Sequence, residues 1–170
     1  MSLSPFNDEE PMFRFTDGGL RNVWLANGYT TERTPYGEAV SIQDLPGLVQ
    51  AICKALIRKK SRLSAAEFRY LRQAMLMSRN SLGKALGRSD QSVAIWEKQG
   101  RIPKFADSMM RVLYAAHSEG NEKVKNIIHA LTDADCTINI IMNESENGWS
   151  AVETEDMPPP EYSKDDLLTA

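Results

Sequence analysis

Two cysteines in 170 residues, Cys53 and Cys136, are too few and too far apart for a disulfide framework or a four-cysteine zinc site. His117 and His129 stand alone, with no cysteine or acid at ligand spacing, so neither a metal nor a cofactor is predicted. No run approaches the roughly 20 apolar residues of a membrane span. Residues 1–10 carry neither the basic nor the apolar part of a secretory signal. Together these absences predict a reduced, cytoplasmic location with no membrane partner. A phosphate-binding glycine loop, a Gly-x-Ser-x-Gly elbow and a His-Glu-x-x-His helix are also missing, so no enzymatic activity is expected. Acid pairs such as Asp133 and Asp135 read as turn formers.

Positive charge is short overall, the net charge being −3, but it is not evenly spread. Residues 58–104 hold 12 Lys or Arg against three acids, a balance of +9, while the rest of the chain holds 8 against 20, or −12. A basic block inside an acidic chain is the electrostatic footprint of a phosphate-binding module; a solvated helix face accounts for part of it equally well.

The pattern along the chain predicts a mainly α architecture with small β-hairpins on either side, α+β overall. Residues 1–11 and the acidic, proline-bearing residues 153–170 are expected to be disordered tails. Residues 12–62 are expected to form N-terminal strands plus a helix. Aromatic and branched residues there (Phe13, Phe15, Val23, Trp24, Tyr29, Val40) are broken by Asp17-Gly18-Gly19, Asn27-Gly28 and Pro35-Tyr36-Gly37, which is strand-and-turn punctuation. Asp44 then caps a helix tolerant of Pro46, with Leu45, Leu48, Val49, Ile52, Leu56 and Ile57 on one face. Residues 63–118 form the central module, opened by the capping-box spacing Ser64-Ala65-Ala66-Glu67 and closed by a helix from Phe105 to His117. Residues 119–152 are read as a helix over 121–131 and a hairpin of Ile138, Ile140, Ile141 and Met142 with Trp149 and Val152, turning at Asn147-Gly148.

Inside the module, Ser78 to Glu97 has what two short helices crossed at a tight turn require. Ser78 caps the first helix, whose inner face is Leu82, Ala85 and Leu86; Gly83 sits where the pair approach most closely, and Gly87 ends the helix in a left-handed conformation. Ser89 caps the second, turning Val93 and Trp96 inward. Trp96 is read as a core anchor, and Glu97 as a helix-end residue pairing with a nearby arginine.

Over residues 63–117 the chain resembles the Xre family, the lambda-repressor-like or Cro/C1-type helix-turn-helix regulators. The likeness is carried by Leu82-Gly83-Lys84-Ala85-Leu86-Gly87, then Gln91-Ser92-Val93-Ala94-Ile95-Trp96-Glu97 and Pro103. Arg88 departs from it, standing where the family often has an apolar residue. Gly28-Tyr29-Thr30 and Thr34-Pro35-Tyr36-Gly37 are similar to the flanks of MqsA-type and HigA-type antitoxin regulators, without the zinc-binding cysteines of the former. The resemblance implies double-stranded DNA as partner, with the second helix in the major groove. On that basis Gln91 pairs with adenine, Asp90 accepts from cytosine or merely stabilises the helix start, and Ala94 and Ile95 touch thymine methyls, unless Ile95 is half-buried core. Arg79, Arg88, Lys98, Arg101 and Lys104 are the expected phosphate contacts, each also readable as an ordinary solvated charge. The expected function is a transcriptional regulator, a repressor acting as a homodimer on an inverted repeat. The alternative is an antitoxin that neutralises a toxin protein and represses their shared operon. Both the hairpin and the N-terminal strands with their helix are candidate dimer surfaces.

Overall fold

Glycine-punctuated aromatic and branched residues open the chain as two hairpins, in a computed structural model that describes residues 11–121, 126 and 139–154. Strands β1 (Phe13–Phe15) and β2 (Val23–Leu25) pair antiparallel across a 3-10 turn at Asp17–Gly19. Strands β3 (Tyr29–Thr34) and β4 (Gly37–Ile42) form a second antiparallel pair turning at Pro35 and Tyr36. Phe13 and Tyr29 bring the hairpins together with ring centroids 5.2 Å apart.

Helices α1 (Leu45–Arg58), α2 (Ala65–Ala74), α3 (Arg79–Ala85), α4 (Asp90–Gln99) and α5 (Lys104–Ser118) then follow. Their starts obey local chemistry. The Asp44 carboxylate accepts from Gly47 N at 3.1 Å, and Ser64 and Glu67 complete the reciprocal capping box. A third antiparallel pair, β5 (Asn139–Ser145) and β6 (Gly148–Thr154), belongs to a separate compact unit beginning at Asp133. The architecture is α+β. The expected helix over 121–131 and both expected tails lie outside the described residues, apart from Pro11, Asn121, Asn126, Glu153 and Thr154.

In the first unit, the segments expected at 12–62 and 63–118 share one core. Phe15, Leu20 and Leu25 from the hairpins meet Ile52, Cys53 and Leu56 of α1, Phe68 and Leu71 of α2, Leu82 of α3, Val93 of α4, and Met110 and Leu113 of α5. Each such side chain contributes about 1.5–3 kcal/mol by leaving water. Helix α1 packs on α2 and α5. That covers most of the apolar face offered from sequence as a subunit contact, leaving Leu45 exposed at its first turn. In the second unit Ile140, Ile141, Met142, Trp149 and Val152 are all exposed. Its turn falls at Glu146 and Asn147, one residue before the expected Asn147-Gly148, because Ser145 pairs with Gly148 and its hydroxyl accepts from Asn147 N.

Buried carboxylates tie these elements together. Glu67 is 2% exposed and accepts from Asn22 (2.9 Å), Lys59 (2.6 Å) and Ser64 N (2.8 Å), joining the first hairpin, the end of α1 and the start of α2. Burial pushes its pKa up, but the Lys59, Ser64 and Asn22 hydrogen bonds and the Lys59 charge pull harder and hold it below the usual value.

Candidate nucleic-acid interface

Helices α3 and α4 are set against each other by a turn whose geometry depends on two glycines. Ser78 caps α3 by accepting from Ser81 N at 3.0 Å, and Ser89 caps α4 by accepting from Ser92 N at 3.1 Å. Between them Gly87 adopts φ +64°, a left-handed conformation that costs other residues about 1–2 kcal/mol. Arg88 N then donates to Gly83 O at 2.7 Å. A β-carbon on Gly83 would lie 2.7 Å from Arg88 O and 3.0 Å from Ser89 C. The obstacle is backbone, so the turn rests directly on α3 and its glycine cannot be replaced without displacement.

Orientation of α4 follows from what it buries. Val93 is fully enclosed, Trp96 is part-buried and meets Phe68 and Phe105 edge-on at 6.2 and 5.8 Å, and Glu97 reaches the interior. There Glu97 accepts from Arg72 of α2 (Nε 2.6 Å, Nη2 3.2 Å) and from Arg79 Nε of α3 (2.8 Å). Desolvation raises its pKa, yet the two guanidiniums, through hydrogen bonds and charge, hold the carboxyl below its ordinary range. Arg72 also donates to Met77 O at 2.8 Å in the turn between α2 and α3. One carboxylate thereby joins α4 to two other helices.

What α4 presents outward is Asp90, Gln91, Ile95 and Lys98, all exposed, with Ala94 half-buried. Asp90 Oδ1 accepts from Gln91 N at 2.9 Å, so part of its carboxylate serves the helix start. The Gln91 side-chain amide makes no hydrogen bond within the protein among the described residues. Ile95, one helical turn on, is 50% exposed and shares its face.

The five expected phosphate contacts divide into two kinds. Arg79 is half-exposed but anchored to Glu97. Arg88, Lys98, Arg101 and Lys104 are exposed and take part in no ion pair among the described residues. Arg88 lies over the Phe105 ring at 5.2 Å. The row Phe68, Trp96, Phe105 and Arg88 therefore links α2, α4, the start of α5 and the turn before α4. Sequence reasoning missed Arg72, whose partner lies 25 positions away; its place on the inner side of α2, beside Phe68 and Leu71, was the available signal.

No known protein family, characterised protein or solved structure matches this chain.

Proposed function

We propose that the chain is a sequence-specific DNA-binding regulator, a repressor of the helix-turn-helix, lambda-repressor-like kind, acting in the cytoplasm as a homodimer on an inverted-repeat operator. In this reading α3 lies across the DNA backbone and α4 enters the major groove. The observation that carries it is the outer face of α4. A Gln91 side-chain amide with no hydrogen bond among the described residues stands beside half-exposed Ile95 on a helix whose inner face is held by Val93, Trp96 and Glu97, and cations without an ion pair among the described residues flank it at Arg88, Lys98, Arg101 and Lys104. Gln91 can pair with adenine N6 and N7, Ile95 and Ala94 can touch thymine methyls, and the Asp90 oxygen not needed by Gln91 N can accept from cytosine N4. The cations position the helix on phosphates without specifying sequence.

Homodimerisation is supported by two considerations. One recognition helix spans too few base pairs for operator-level specificity. A two-stranded hairpin is marginal alone in water, and the β5–β6 pair exposes Ile140, Met142, Trp149 and Val152, apolar surface suited to a second copy.

Gln91→Ala tests the readout. It is expected to weaken binding to the preferred operator by about 1–3 kcal/mol and to leave binding to random duplex nearly unchanged. Titration of both DNAs at one salt concentration measures the difference; equal losses on both would remove Gln91 from base recognition.

A further inference from the structure

Away from the outer face of α4, cations gather along the link between α1 and α2, where it runs beside α5. A groove of about 420 Å³ there is lined by Lys60, Ser61 and Arg62 of the link and by Lys104, Ser108 and Arg111 of α5. On α5 the contributing positions 104, 108 and 111 follow helical spacing and share one face.

The link is held in a defined shape from below. Arg111 donates to Ile57 O (3.3 Å), Lys59 O (2.6 Å) and Ser61 O (2.7 Å), and Asp107 accepts from Leu63 N at 2.7 Å. Three alternate carbonyls, the first in the last turn of α1, thus converge on one guanidinium, and Lys60 and Arg62, on either side of Ser61, are exposed. Lys59 turns instead to Glu67. The Lys59 and Ser61 carbonyls are thereby taken up by Arg111, while Lys60 and Arg62 face solvent. Asp107, the one acid lining the groove among the described residues, is paired with Arg111. Lys60, Arg62 and Lys104 take part in no ion pair among the described residues. Among the described residues the lining offers charge and two serine hydroxyls but no aromatic platform on which a base could stack, which suits phosphodiester oxygens rather than bases.

We infer that this groove is a second phosphate track, in which Lys60 and Arg62 grip the sugar-phosphate backbone of duplex DNA beyond the segment read by α4. The inference rests on the DNA-binding function proposed for α4. Lys104 lines the groove, and its neighbour Phe105 carries the ring beneath Arg88, so the groove and the turn before α4 meet at the start of α5. The pre-formed link means that little ordering entropy is lost when the backbone docks.

The test is a full-length double variant, Lys60→Ala with Arg62→Ala, titrated against operator and random duplex over a range of salt. Both substitutions are on exposed side chains, and the thermal midpoint should match wild type. The slope of log affinity against log salt should fall in magnitude by about 0.9 for each phosphate no longer neutralised, or about 1.8 per subunit, equally on both DNAs. The charge-conserving variant, Lys60→Arg with Arg62→Lys, should restore the slope. An unchanged slope in the alanine variant would overturn the track while leaving the α4 interface standing. So would an unchanged slope accompanied by weaker binding of inorganic tripolyphosphate, which would assign the groove to a small anion. Failure of wild-type protein to bind any duplex at low salt would overturn both readings together.

Discussion

Replacing Glu97 by alanine is expected to cost about 3–5 kcal/mol of stability, the usual penalty for removing one partner of a buried ion pair. The magnitude follows from what is left behind. Arg72 has a side chain only 10% exposed and donates two of its hydrogen bonds to Glu97, so its charge would remain in the interior without a counter-ion. Against a domain stability of about 5–15 kcal/mol such a loss brings the protein close to unfolding. Urea denaturation should show a lower midpoint at unchanged slope. Glu97→Leu combined with Arg72→Met removes both charges and should recover much of the loss. A penalty below about 1 kcal/mol for Glu97→Ala would contradict the role assigned to this carboxylate. Protonation acts in the same direction. Because the folded-state pKa of Glu97 lies below its ordinary 4.5, its contribution is fully present above that pH and is lost as pH falls through the depressed value.

Salt should act on DNA binding more strongly than any single substitution. Arg88, Lys98, Arg101 and Lys104 are four cations per chain flanking α4 with no ion pair among the described residues, and Lys60 and Arg62 add two more. With each neutralised phosphate contributing about −0.9, a dimer engaging the α4 set alone gives a log–log slope of about −7, and one engaging both sets about −11. Raising salt from about 50 to 200 mM would then weaken binding by roughly four to seven decades. Arg79 is not counted here, because its Nε is committed to Glu97. Fluorescence anisotropy over that range measures the slope. A value near zero would mean that the basic block is an ordinary solvated surface.

How much of this could be read from sequence divides by distance along the chain. Asp44, Ser64, Ser78 and Ser89 each cap within three residues of themselves, and Gly87 ends its helix by its own φ preference. Such local chemistry is written in adjacent letters, and the helix starts followed from it. The ties that orient the elements were not legible. Glu97 reaches back 25 and 18 positions to Arg72 and Arg79, and Asp107 reaches back 44 to the Leu63 amide. No period or composition encodes those partners. The apolar face of α1 was visible, but its cover on α2 and α5 was not. Leu76 is a different case: it stands at φ +56° and is 93% exposed, a backbone state and an exposure that both disfavour leucine, and nothing in the hydrophobic pattern marks it. At the candidate interface, the outward set of Asp90, Gln91, Ala94 and Ile95 followed from the inward pair Val93 and Trp96, and Ala94 alone of the four is half-buried. The anchoring of Arg79 and the seat of Arg88 on Phe105 required tertiary contacts to appear.

Whether α4 reads a specific duplex sequence is decided by selecting full-length protein against a random double-stranded library and footprinting the enriched sites. One enriched inverted repeat is expected, with half-site centres about one helical turn, roughly 34 Å, or a multiple of it apart, protected symmetrically. Gln91→Ala should lose the preference at one position in each half-site. A library that emerges unenriched, or a protein that protects no duplex at low salt, would refute sequence readout by α4.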